Sequence, residues 1–284
     1  MAGFLSPSEV CKKVEETSKQ KAEMPLRCLV ILGILAGVYI GFGAELSTIV
    51  THDLTEHLGV GFSKFLAGSV FSVGLMLVGI GGAELFTGNC LMLGCVMQHN
   101  IKVGKLLRNW GTVYLSNFVG ALFLVGIMYY SGLWKAGHLG VGAKALAIAN
   151  GKANLPFVEA FCRGICCNWL VCLAVWLAVA GQDIVSKILG IYFPIMAFVA
   201  SGFEHSIANM YFIPMGLLLK GNSSVVAASG LTETLNNLTW SRFLIGNLIP
   251  VTLGNIVGGA FFVGGAYYST YLRKKRVLEI KGEL

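Results

Sequence analysis

The length of its uncharged runs constrains this chain most. Eight long stretches of its 284 residues carry no Asp, Glu, Lys or Arg: 28–44, 65–83, 85–101, 109–134, 164–182, 188–203, 206–219 and 243–272. A helix of about 20 apolar residues crosses a bilayer. In oil every backbone polar group must find a partner within the protein, which favours helix. Three of the stretches are full length: 109–134, 164–182 and 243–272. The first becomes long enough if it continues past Glu45 to Val50. The other four come in two pairs, each split by one acidic site, Glu84 or Glu204–His205. The reading is an all-α membrane protein with six spans, the second and fifth interrupted. Only 12% of the residues are charged, half the share of about 25% in soluble domains. No polar stretch is long enough for a second domain.

The first 25 residues are polar, which argues against a cleaved leader. Ser6, Pro7 and Glu9 form a helix start with a capping box, and Val10 and Val14 then share a face. This predicts a basic amphipathic helix over 1–25 at a membrane surface. Lys and Arg cluster in that segment, at Lys102, Lys105 and Arg108 after the second span, and in the tail 273–284. The link after the first span, "THDLTEHLGVG", has none. With an even number of spans, the positive-inside rule places both termini in the cytoplasm. The formal net charge of +7 is explained by these anchoring positions and calls for no nucleic acid. Eight cysteines are present. They form no C-x-x-C pair and have no histidine at ligand spacing, so they read as small buried apolar residues rather than a metal or redox site.

The chain repeats itself. Gly82, Glu84 and Asn89 recur as Gly202, Glu204 and Asn209, 120 residues on. Asn109, Val113, Leu115, Asn117, Val119, Gly120 and Phe123 recur 138 residues on as Asn247, Val251, Leu253, Asn255, Val257, Gly258 and Phe261. The first and fourth spans align poorly. The reading is two three-span halves, about 26–134 and 157–272, within a channel domain 26–272. Three is odd, so the halves cross the membrane in opposite senses. Such inverted repeats bracket a midplane site between paired interrupted helices. Glycine stripes at Gly33, Gly37 and Gly41 and at Gly254 and Gly258 are sites of close helix packing.

The motifs "GAELFTGN", "FEHSIANM", "RGICCNWLVC" and "IPVTLGNIVGG", in that order within an inverted repeat, resemble the formate–nitrite transporter family along essentially the whole chain. Within it the similarity leans to the clostridial hydrosulfide branch. The resemblance implies an aquaporin-like hourglass pore in each subunit of a homopentamer, in a bacterial cytoplasmic membrane. It also implies small monovalent weak-acid anions as substrates: hydrosulfide first, then formate or nitrite. By the same resemblance the central pore residue is His205, faced by the Thr87 hydroxyl in the loop Leu85–Phe86–Thr87. Lys152 is then the outer lysine, and Asn168 and Asn255 are pore asparagines. Glu84, Glu204, Asn89 and Asn209 sit at the breaks. One constriction is expected from Leu75 with Phe198 on the cytoplasmic side, the other from Phe71, Phe86 and Val171 on the outer side.

A bare anion leaving water pays several kcal/mol, so the pore must offset or remove its charge. Lys152 could draw anions to the mouth. His205, the one histidine inside a predicted span, could donate a hydrogen bond or a proton. Both mechanisms, passage as anion and passage as neutral acid, stay open at this level. A water or glycerol channel would need an Asn-Pro-Ala turn in each half, and the breaks read "FTGN" and "SIAN". An intramembrane hydrolase using Ser201 or Ser206 with His205 would have poor nucleophile–base geometry. The chain therefore reads as no enzyme and needs no cofactor. A proton-coupled transporter of formate or nitrite is the rival to a channel.

Overall fold

Every long uncharged run is helical for most of its length. A computed structural model describes residues 3–231 and 235–272; the basic tail expected at 273–284 lies outside them. Ser6 opens α1 (Pro7–Glu23) by donating its amide to the Glu9 carboxylate at 2.8 Å. The helix buries Val10, Cys11, Ser18 and Ala22 and exposes most of its charges. The spans follow as α2 (Leu26–Val50), then α3 (Leu54–Gly81) continued by the short α4 (Phe86–Met97), then α5 (Val103–Ser131). The second half runs α6 (Gly140–Ala153), α7 (Phe157–Ala180), α8 (Ile184–Ser201) continued by α9 (Ser206–Leu219), a short α10 (Ser223–Ser229) and α11 (Arg242–Tyr271). Among the described residues six helices are long and apolar enough to cross a membrane. Among the described residues no extended strand forms, and the one β-bridge joins Phe4 to Gly181.

The second and fifth spans break as the acidic sites predict. Gly82 ends α3 with φ +86°, and Gly202 ends α8 with φ +77°, a left-handed conformation that glycine adopts without strain. Three residues then run on before the next half-helix. A broken helix inside a membrane frees backbone groups that need partners. Two buried asparagines supply them in matching fashion. Asn117 donates to the carbonyls of Gly33 (2.8 Å) and Glu84 (2.9 Å) and accepts from the Phe86 amide (3.0 Å). Asn255 donates to the carbonyls of Gly164 (2.8 Å) and Glu204 (2.9 Å) and accepts from the Ser206 amide (2.9 Å). The glycine stripes work within the subunit. A Cβ on Gly120 would stand 2.0 Å from the Ile34 carbonyl, and one on its counterpart Gly258 would stand 2.1 Å from the Ile165 carbonyl.

The mirror reaches further back than the sequence comparison does. The Glu84 amide donates to Leu32 and the Glu204 amide to Arg163, so α2 and α7 play the same part. Their offset of 131 residues pairs Pro25 with Pro156 and Lys21 with Lys152. Hence α6 is the counterpart of α1: a lead helix on the opposite face of the molecule. The signal was present as "KAEMP" and "KANLP", five residues that a search confined to the apolar runs passes over.

Candidate functional site

Each lead helix delivers one lysine to one break. On the α1 face, Lys21 Nζ lies 2.7 Å from Glu84 Oε1 and donates to Asn89 Oδ1 at 2.8 Å. Asn89 Nδ2 donates to Glu84 Oε2 (2.7 Å) and to Asn109 Oδ1 (2.9 Å). On the α6 face, Lys152 Nζ lies 2.9 Å from Glu204 Oε1. Asn209 Nδ2 donates to Glu204 Oε2 and to Asn247 Oδ1, each at 2.7 Å, and Asn247 donates to the Lys152 carbonyl. The four residues expected at the breaks are thus found there. Lys21, Asn109 and Asn247 join them, and sequence reasoning had not placed those three in the site. Pairing compensates the charge of both buried carboxylates, which alone would be costly in this setting.

Two cavities enter from opposite faces. One, of about 370 Å³, is lined by Lys21, Glu84, Leu75 and Leu85 with Val14 and Ser18 of α1. The other, of about 500 Å³, is lined by Lys152, Glu204, Phe71, Phe198, Phe212 and His205. The deep end of the second cavity is aromatic. Phe198 stands edge-on to Phe71 with ring centroids 5.7 Å apart, and its ring centroid is 5.9 Å from that of His205.

The middle of the molecule departs from the mirror. Leu85 and His205 occupy equivalent positions, 120 residues apart, immediately before α4 and α9. His205 is 3% exposed. Its Nδ1 accepts the Ala208 amide at 3.1 Å, and its Nε2 lies 2.9 Å from the Thr87 hydroxyl. An acceptor at Nδ1 places the proton of a neutral ring on Nε2. Nε2–H then donates to Thr87, and the threonine hydroxyl keeps its own hydrogen for another acceptor. Two polar donors therefore meet where the aromatic end of one cavity approaches the leucine end of the other.

Several expected pore positions lie elsewhere. Phe198 belongs with Phe71 beside His205, not with Leu75; Leu75 and Leu85 share the opposite cavity. Phe86 lines neither cavity named above and packs against Tyr114 (5.0 Å) and Trp110 (6.0 Å), because its amide is held by Asn117 on α5. Val171 is buried and lines neither of them. Asn255 spends its amide on the second break. Asn168 donates to the carbonyls of Thr87 (3.1 Å) and Asn255 (2.7 Å). Both asparagines are internal clamps, because irregular backbone at this depth consumes their hydrogen bonds.

Comparison with known proteins bears on what such an arrangement does. The family model described as "Formate/nitrite transporter" matches residues 8–269. A probable formate transporter of Methanothermobacter thermautotrophicus is 44% identical, over 96% of this chain and 99% of its own. The formate channel FocA of Escherichia coli K12 is 39% identical, over 95% and 96%. Among solved structures, a pentameric formate channel with formate bound superposes with TM-score 0.78 at 38% identity, covering 87% of this chain and 98% of that one. An FNT family ion channel superposes with TM-score 0.76 at 28% identity, covering 92% and 98%.

Proposed function

The chain belongs to the formate/nitrite transporter family, and from that premise we propose that it is a multi-pass membrane channel for small monovalent anions of weak acids. The observation that carries this reading is the pair of opposed cavities separated by apolar side chains, with the His205–Thr87 donors between them. Formate stands first among substrates, because the relatives above are formate proteins. Hydrosulfide, which only overall sequence similarity favours, joins nitrite as a second candidate. The reading takes the assembly to be a homopentamer with one pore per subunit, in line with the pentameric formate channel it resembles. The Lys- and Arg-rich α1 face is assigned to the cytoplasm and the α6 face to the outside of the cytoplasmic membrane.

An anion entering from the outside meets the positive charge of Lys152, part of which Glu204 neutralises. Partial neutralisation keeps the lysine attractive without making it a trap, as conduction requires. Phe71 and Phe198 then strip water. The anion accepts hydrogen bonds from the Thr87 hydroxyl and, when the histidine lets go of threonine, from Nε2–H. Leu75 and Leu85 form the second apolar step, and Lys21 with Glu84 repeats the outer station in mirror image. The His205 ring aims one nitrogen at a backbone N–H, which suits a neutral hydrogen-bond donor and favours passage as the anion. Proton-coupled transport remains the rival, and the same assay separates the two.

The test is flux into proteoliposomes of purified protein with formate, hydrosulfide, nitrite, acetate and chloride in parallel. Formate is expected to cross well above chloride, and an uncoupler should leave formate flux under a formate gradient unchanged. Flux of none of the five above protein-free vesicles would overturn the reading. Flux abolished by the uncoupler would replace the channel with a proton-coupled carrier.

A further inference from the structure

The α6-face cavity holds more positive charge than a single monovalent anion calls for. Four cations line it: Lys64 from α3, Lys144 and Lys152 from α6, and Arg163 from α7. Glu204, the one carboxylate that lines it among the described residues, is taken up by Lys152. Arg163 pairs with Glu159 at 2.9 Å. Lys64 and Lys144 have no ion pair among the described residues. Lys144 is half-buried, and it lines the same cavity as Lys152 two helical turns further along α6, about 12 Å away along the axis. A half-buried ammonium with no partner has given up water without receiving an anion in return.

Resting on the reading of this cavity as the outer mouth of the pore, we propose that it is also a binding site for a divalent oxyanion of the sulfate class. The ion would sit between Lys144 and Lys64 above the Lys152–Glu204 pair. A cavity of about 500 Å³ has room for such an ion with several waters, each taking about 30 Å³. The dianion can enter but not pass. Charging energy grows with the square of the charge, so dehydrating it at Phe71 and Phe198 costs about four times as much as dehydrating a monovalent ion of the same size. His205 and Thr87 offer neutral donors only. Sulfate is therefore a blocker that acts from the α6 face, competing with the permeant anion for its entrance. Burial pulls the Lys144 ammonium below its ordinary value, and a seated dianion would oppose that pull.

Two measurements test the site. In the first, radiolabelled sulfate is equilibrated with the purified full-length assembly in detergent, against Lys144→Gln and Lys64→Gln. Saturable binding is expected, weakened about tenfold by Lys144→Gln, in keeping with loss of one charge-assisted contact. In the second, formate flux is read with and without sulfate on each face of vesicles of one orientation, at matched ionic strength. The fractional block is expected from the α6 face alone and is expected to shrink in Lys144→Gln. Absence of saturable sulfate binding to the wild type, equal block from both faces, or equal block in wild type and Lys144→Gln would each overturn the site. If the wild type carries no formate or other monovalent anion yet binds sulfate through Lys144, the conduction reading fails and the site stands.

Discussion

At the scale of single residues, chemistry and support divide between two kinds of polar side chain. His205 and Thr87 spend a hydrogen bond on each other at 2.9 Å, one that a solute can take over, whereas Asn117 and Asn255 are saturated by backbone. Removing the latter should cost stability before transport. Asn255→Ala leaves the Ser206 amide and the Glu204 carbonyl at the break without partners and takes an added bond from the helical Gly164 carbonyl, and is expected to destabilise by about 3 kcal/mol. Asn117→Ala should cost the same, because it makes the same bonds. Thermal unfolding in detergent reads both, and a loss under 1 kcal/mol for either would contradict the clamp. His205→Phe keeps a ring in place but removes both nitrogens. It also leaves the Ala208 amide without its cap, so it should cost about 1 kcal/mol of stability, while lowering formate flux at least tenfold and flattening whatever pH dependence that flux has. An unchanged pH profile would take the histidine out of the mechanism. Which polar residues faced the path was only partly legible in sequence. His205, Glu84 and Glu204 stood out because ionisable groups in apolar runs are costly, whereas Thr87 entered through the family resemblance alone. Asn255 and Asn168 enter as pore residues through the family resemblance, and a string does not show the backbone carbonyls that take their amides.

At the scale of elements, the spans and both breaks were legible, since run length and isolated acids report depth in a membrane directly. The partnering of α1 with α6 was not, because neither is a span and their likeness is confined to a few scattered residues, among them Lys21 with Lys152, Ala22 with Ala153 and Pro25 with Pro156. It predicts that α1 is part of the pore entrance: Lys21→Ala should lower flux as Lys152→Ala does, with each variant also loosening its own acidic partner. The start of α1 adds a pH test. The Ser6 hydroxyl and amide hold the Glu9 carboxyl below its ordinary value. A depressed acid stabilises the folded form above the ordinary carboxylate range, and that contribution is lost as pH falls through the lowered value. The protection of the first-turn amides of α1, taken relative to the intrinsic exchange rate at each pH, should therefore fall as the solution is acidified below that range, and Glu9→Ala should show the lower protection at neutral pH. Equal exchange in both proteins at neutral pH would rule the cap out. Where helices cross, Gly258→Val would drive a side chain into the Ile165 carbonyl, so properly folded protein should be lost from the membrane.

At the scale of the whole molecule, the scaffold is symmetric and the centre is not. Two lead helices, two lysine–glutamate–asparagine stations and two asparagine clamps repeat in opposite sense, while Leu85 on one side is His205 on the other. A repeated frame places a lysine–glutamate station at the entrance on each face, and the departure from it at His205 concentrates hydrogen-bonding capacity midway. The side of Phe198 eluded sequence reasoning, because only the fold brings this α8 ring against Phe71 and His205 and away from Leu75. The most direct test is sided labelling with a membrane-impermeant thiol reagent. Phe198→Cys and Leu75→Cys are made separately in protein whose eight native cysteines are replaced by alanine. Cysteine at 198 is predicted to react only from the α6 face and cysteine at 75 only from the α1 face, with formate slowing both. Reaction of either from both faces, or of neither from any, would contradict a path of two opposed cavities meeting at His205.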